Sequence, residues 1–300
     1  MKFKGEQMGR HRVGHTGITW LPYFEPTRAL AEVAALGYQG FETFGIAVED
    51  YERQRGGFAS LLEQHRIPLV AAYVFTPLID PDTAQEDVEK NVAWAKLTKD
   101  LGGEVLVVGA TEQPHKRFTP AEYDRMVRTL NEIGKRCLDI GVRACFHPHT
   151  GTPVETREQI DRVIGQVDPR YVFFAPDTGQ IQKGGSDPSD VITTYLSQVK
   201  HVHLKDYSGV QMEYDADGKE IDRTGYVNYV PLGEGVVDLP GIVAILDEAG
   251  YEGWLNVELD GTEQAPRPAI EAAAISKRYL ETLLCEEIAR DEGKGGCDSA

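Results

Sequence analysis

The chain has 300 residues, 41% hydrophobic and 26% charged, with a formal net charge of −17. That composition is ordinary for a soluble globular protein, and the acidic balance argues against nucleic acid and anionic membrane surfaces, which attract lysine and arginine stripes. No apolar run approaches the roughly 18 residues of a transmembrane helix, and residues 1–12 lack the apolar core of a secretory signal, so a cytoplasmic protein is expected.

In chain order the candidate strands are VGHTGITW (13–20), GFETFG (40–45), PLVAAYVFT (68–76), EVLVVGA (104–110), RACFHP (143–148), YVFFAPD (171–177), KHVHLKD (200–206) and WLNVELD (254–260). Helical patterns follow them at 26–37, 48–65, 82–102, 120–141, 156–167, 187–198, 239–250 and 268–284. The first of these opens on Pro26 and closes on Gly37, as the asymmetry of helix ends predicts. Eight strands alternating with eight helices predict a single (β/α)8 TIM barrel, an α/β fold for which about 250 residues is typical. A doubly wound open sheet is disfavoured, since no strand-turn-helix carries a GxGxxG phosphate loop. The barrel domain is expected over 1–285, with a long polar insertion at 207–235 after the seventh strand and a disordered tail at 286–300. In a barrel that insertion lies on the active-site face and would serve as a lid or an oligomer contact. The cysteines, Cys137, Cys145, Cys285 and Cys297, show no CxxC spacing and read as reduced thiols.

Barrel enzymes place their chemistry at the C-terminal ends of strands. Four of the apolar runs end on metal-binding side chains: His147 or His149, Asp177, His203 and Glu258. Singly each has a plain explanation; Asp177 before Thr-Gly would cap the next turn. Together they converge on one rim. His201 and His203 are two apart and share a face, with His203 nearer the strand end and His201 one layer deeper. Pro148 suggests that its strand is ending, which favours His147 as the ligand and His149 as a supporting or substrate-contacting group. Two imidazoles and two carboxylates suit one divalent metal, Mn²⁺ or Co²⁺, with Zn²⁺, Fe²⁺ and Mg²⁺ as alternatives.

The segments HPHTGTPVETREQIDRVI, APDTGQIQKGGSDP, VKHVHLKD, PLGEGVVDLPGIVAILDEAGYEGWLNVELD and, more weakly, LGYQGFETFG carry a resemblance. Over roughly residues 13–284 the chain resembles the xylose-isomerase-like TIM-barrel superfamily, which includes inosose dehydratases, ketose 3-epimerases, hydroxypyruvate isomerases and AP-endonuclease-type barrels. The resemblance implies one divalent metal, with manganese favoured, held by His147, Asp177, His203 and Glu258, and a small keto sugar or keto-cyclitol as substrate. It also places Glu42 at a polar position facing the site. The epimerases carry Glu where this chain has His147, which leaves one rim carboxylate, Glu258, where a two-base epimerase needs a pair. That departure favours proton abstraction followed by β-elimination, as in the inosose dehydratases. At Gln180 many relatives have His; a Gln hydrogen-bonds a substrate hydroxyl but cannot shuttle a proton. The expected mechanism uses Glu258 or His149 as base and Lys205 or His149 as acid, with a salt bridge to Asp206 or a rim carboxylate as the equal alternative for Lys205, and Trp20 either stacking on a sugar face or packing under a loop. Rival readings are a sugar isomerase or epimerase, a lyase cleaving 3-keto-glycosides, and a non-catalytic sugar-binding or accessory barrel. A homo-oligomer is an open option; DNA repair is excluded by the charge and the single metal set.

Overall fold

Among the described residues there are ten strands: β1 (Arg12–Thr16), β2 (Gly40–Phe44), β3 (Leu69–Thr76), β4 (Val105–Ala110), β5 (Arg143–Phe146), β6 (Val172–Phe174), β7 (His201–Leu204), β8 (Asp206–Tyr207), β9 (Tyr229–Val230) and β10 (Trp254–Val257). Eight of them make one parallel sheet in the order β6-β5-β4-β3-β2-β1-β10-β7. Parallel bridges Phe174↔Val199 and Asp177↔His203 join its two edges. The expected (β/α)8 barrel is therefore the fold. This computed structural model describes residues 11–114, 116–285 and 288. The tail expected at 286–300 lies outside the described residues except for Ile288, which is buried in the main core.

The helices are α1 (Pro26–Ala35), α2 (Gly45–Gln54), α3 (Phe58–His65), α4 (Ala84–Asp100), α5 (Pro120–Ile140), α6 (Arg157–Ile164), α7 (Thr178–Lys183), α8 (Pro188–Tyr195), α9 (Leu239–Glu248) and α10 (Ala269–Leu284). Local chemistry explains several ends. Thr119 and Glu122 form a reciprocal capping box before α5, and Gly141 closes that helix at φ +84°. The helix expected over 48–65 is instead two, because Gly56 and Gly57 take φ of +66° and +76° between them. No helix among the described residues is long and apolar enough to cross a membrane.

Strands five to eight of the sequence reading are shorter than expected. β5, β6, β7 and β10 stop at Phe146, Phe174, Leu204 and Val257. Pro148 and Pro176 cannot donate to a ladder, so His147 and Asp177 sit on the loops that leave the barrel. The interior is layered. Val105, Val107, Cys145 and Trp254 form an apolar plug, while Glu42, His201, His203 and Asn256 form a buried polar group. Gly14 makes room for the latter, since a Cβ there would collide with Asn256 Oδ1. The insertion at 207–235 is tied down by the antiparallel pair β8–β9 and by a bridge between Tyr214 and Glu220.

Candidate metal centre

Four side chains meet at the C-terminal rim. His147 follows β5, Asp177 caps α7, His203 lies in β7 and Glu258 follows β10. All four are buried, His203 and Asp177 completely. One ligand atom from each of His147, Asp177 and His203 falls within 4.8 Å of the others. Glu258 Oε2 lies 3.1 Å, and Asp177 Oδ2 4.0 Å, from His203 Nδ1. His147 Nδ1, Asp177 Oδ2 and His203 Nδ1 have no hydrogen-bond partner although they are buried. Such atoms cost free energy when left unmet, and a divalent cation would satisfy all three at once. The donor set therefore fits the metal.

The other nitrogen of His203 shows how the ring is aimed. Nε2 donates to Glu42 Oε1 at 2.9 Å, which turns Nδ1 toward Asp177 and Glu258. A carboxylate behind a ligating imidazole is a common support in metal sites. Glu42 Oε2 accepts from His201 Nε2 and Asn256 Nδ2, each at 2.7 Å. Glu42 borders the site, but both its oxygens are engaged, so it holds His203 rather than a substrate hydroxyl. Glu42, His201 and His203 also form a metal-sized cluster; the hydrogen bonds through Glu42 already satisfy it.

Burial works against charge throughout, and the neighbours decide who carries it. Desolvation would lower His203, but Glu42 and Glu258 overcome it and lift its pKa to about 9. Burial raises Asp177 to about 7 against the pull of Lys205. Burial first, and after it the charge of His203, holds His147 well below the usual imidazole range, in the neutral form a ligand needs. Burial would raise Glu258, but Lys205 and His203 hold its pKa below the usual value.

Lys205 is fully buried, with Nζ 2.9 Å from Glu258 Oε1, 2.8 Å from Asp260 Oδ2 and 3.8 Å from Asp177 Oδ2. Asp260 was not among the expected site residues. Its spacing, two beyond Glu258, was the available signal.

His149 borders three cavities at this rim. A small one of about 30 Å³ touches His147, Glu42 and Glu258. An apolar one of about 440 Å³ is walled by Tyr23, Phe44, Tyr73 and Phe75. A polar one of about 340 Å³ is walled by Gln180, Lys183, Tyr229 and Asp260. A cavity of about 790 Å³ lies at the opposite end, between the starts of β1, β5, β7 and β10, away from these residues. Gln180 fixes the state of His149. Its Oε1 accepts from Thr150 N (3.1 Å) and Oγ1 (2.7 Å), so its amide N–H must point at His149 Nε2, 2.7 Å away. His149 Nδ1 then donates to Thr150 O at 2.7 Å. The ring is neutral with its lone pair on Nε2, and burial lowers its pKa further. Gln180→Glu puts an acceptor where that N–H stands and is expected to raise the His149 pKa. An NMR titration of the His149 ring checks this, and an unmoved pKa would rule out the lock.

Of the two expected places for Trp20, its contacts favour the packed one over the sugar-stacking one. It is 2% exposed, its indole N–H donates to Glu32 Oε2 at 2.6 Å, and its edge meets His15. The ring packs beneath the rim, where α1 supplies the acceptor, and Tyr23, Phe44, Tyr73 and Phe75 take the place expected for it at the mouth.

A family model described as xylose isomerase-like TIM barrel matches residues 30–281. The inosose dehydratase of Geobacillus kaustophilus (strain HTA426) is 27% identical over 296 residues, covering 91% of this chain and 94% of the relative. That of Geobacillus thermodenitrificans (strain NG80-2) is 28% identical over 271 residues, covering 84% and 88%. Among solved structures, the IOLI protein with a bound zinc atom superposes with a TM-score of 0.72 at 18% identity, covering 91% of this chain and 98% of that one. The probable 3-DHS dehydratase AsbF of Bacillus anthracis gives 0.71 at 18%, covering 90% and 98%.

Proposed function

We propose, from the premise that this chain belongs to the xylose isomerase-like TIM-barrel family, that it is a divalent-metal-dependent lyase acting on a keto-cyclitol or keto sugar. It removes the proton next to the ketone and expels a β-hydroxyl as water, the reaction class named by its inosose dehydratase relatives. The observation that carries this reading is the trio of buried, unpartnered donor atoms on His147, Asp177 and His203, beside cavities that His149 borders.

His147, Asp177, His203 and Glu258 would hold the cation, with manganese expected and zinc supported by the IOLI protein. When bound, it would polarise the ketone oxygen and stabilise the charge that builds as the neighbouring C–H is lost. Of the two candidate bases, Glu258 has one oxygen on Lys205 and the other beside His203. We therefore assign the proton to His149 Nε2, which Gln180 must release as it accepts. Lys205 is committed to Glu258 at 2.9 Å and Asp260 at 2.8 Å, which leaves it unavailable to a departing oxygen. Burial would lower its pKa, but Asp260, Glu258 and Asp177 hold it well above the ordinary value. Its role is to balance their charge.

The test is proton NMR of inosose in D₂O with and without Mn²⁺, after elemental analysis of the purified protein. Stoichiometric metal, metal-dependent exchange of the α-proton and loss of water are expected. Absence of both metal and exchange would overturn the reading and leave a non-catalytic sugar-binding barrel. Exchange that yields a new sugar instead of water loss would make the protein an isomerase or epimerase. The aromatic cavity favours a second reading, in which the leaving group is the apolar aglycone of a 3-keto-glycoside, because four aromatic rings offer an aryl group more apolar contact than a hydroxyl alone would use. Release of an aryl alcohol from an aryl 3-keto-glucoside, with inosose inert, would establish it.

A further inference from the structure

The insertion at 207–235 delivers one side chain to the site that the mechanism above leaves unused. Tyr229 stands at the start of β9, held by pairing with Tyr207 across β8 and by its own N–H to Tyr226 O at 3.1 Å. It is 1% exposed, yet its hydroxyl has no hydrogen-bond partner. The Thr150 side chain lies near it, but outside hydrogen-bonding geometry. Two ammonium groups fix the ring: Lys205 Nζ is 4.3 Å from its centroid and Lys183 Nζ 4.9 Å. Lys183 is itself locked to the insertion, through Glu220 at 2.8 Å and Val227 O at 3.2 Å. The phenol walls the polar cavity together with His149, Gln180 and Asp260.

A buried tyrosine hydroxyl normally finds a partner. Here the neighbouring space is a ligand cavity, so the missing partner is a ligand oxygen. Its neighbours on that wall are engaged, Gln180 by Thr150 and His149 and Lys183 by Glu220, while Lys205 beside the ring is held by Glu258 and Asp260. Tyr229 offers that wall a buried O–H donor with no partner of its own.

We infer that Tyr229 donates the proton that lets the substrate's β-oxygen depart. The inference rests on the proposed β-elimination. As the C–H bond beside the ketone breaks, its proton passes to His149. The electron pair becomes the new C=C bond while the C–O bond at the next carbon breaks. The departing oxygen takes the Tyr229 proton and leaves as water. His149 then returns a proton to solvent and Tyr229 regains one, so the enzyme ends as it began.

The test uses the full-length manganese-loaded protein and the variant Tyr229→Phe, with inosose in D₂O. The ratio of α-proton exchange to water elimination is expected to rise about a hundredfold in the variant, the low end of what a positioned acid contributes. An inosose analogue carrying fluoride in place of the β-hydroxyl needs no proton to lose its leaving group, and the variant should eliminate it at a rate close to that of the unaltered protein. That comparison also shows that the variant is folded and loaded. An unchanged ratio, or failure on the fluoride substrate by the same factor as on inosose, would overturn the assignment. Should the unaltered protein itself show no metal-dependent exchange, the proposed function fails and this inference falls with it.

Discussion

His203→Ala is expected to remove bound metal and turnover together while leaving the barrel folded. His203 joins the two buried clusters, with Nε2 on Glu42 and Nδ1 facing Asp177 and Glu258. Losing it deletes one ligand and frees one oxygen of Glu42. Turnover should fall by roughly three orders of magnitude, the scale of the several kcal/mol that a Lewis acid supplies. The fold should survive, because Glu42 keeps His201 and Asn256, and one unmet buried acceptor costs about 1–3 kcal/mol against a typical total of about 5–15 kcal/mol. Metal content by elemental analysis and circular dichroism read the two halves of this expectation. A variant that kept both metal and activity would refute the ligand set. The same residue sets the sign of a pH effect. In the metal-free protein its pKa is raised to about 9, and a cation at Nδ1 must displace that proton. Apparent affinity should therefore weaken as pH falls below 9, by roughly tenfold per unit from this group alone, and metal titrations at two pH values would show it.

Lys205→Met is expected to destabilise the metal-free protein by about 3–5 kcal/mol, the usual cost of removing one partner from a buried ionic cluster. The ammonium is fully buried and lies within 4 Å of Glu258, Asp260 and Asp177. Without it, carboxylates that repel one another are left with little solvent to screen them. Added manganese should restore much of the loss, since the cation would neutralise Asp177 and Glu258 in its place, while Asp260 retains some contact with water. Melting curves with and without metal test both parts. Equal losses in the two conditions would separate Lys205 from the metal centre, and no loss in either would show that it does not balance these charges.

Much of this architecture is written locally. The apolar runs ending in ACF, VFF, HVHL and WLNV, with Pro and Gly marking the helix ends, identify a barrel whose strand ends carry His147, Asp177, His203 and Glu258. Alternation along one strand puts His201 and His203 on the same face, and position along the strand ranks His203, nearer its C-terminal end, above His201. What no single strand carries is which atoms meet. Glu42 reaches His203 across 161 residues because closure of the sheet brings the interior faces of β2 and β7 together. The pairing of Lys205 with Asp260, the Gln180 lock on His149 and the arrival of Tyr229 from the insertion depend on distances between separate loops. Trp20 shows the same limit from the other side: an aromatic at a strand end was legible, but the acceptor on α1 that draws it beneath the rim was not. The barrel, its strand ends and the residue types gathered there are legible residue by residue, because burial period and turn chemistry are properties of a few neighbours. Only the tertiary structure decided how the charges, protons and lone pairs are shared, because those follow from contacts made when distant segments close around one point.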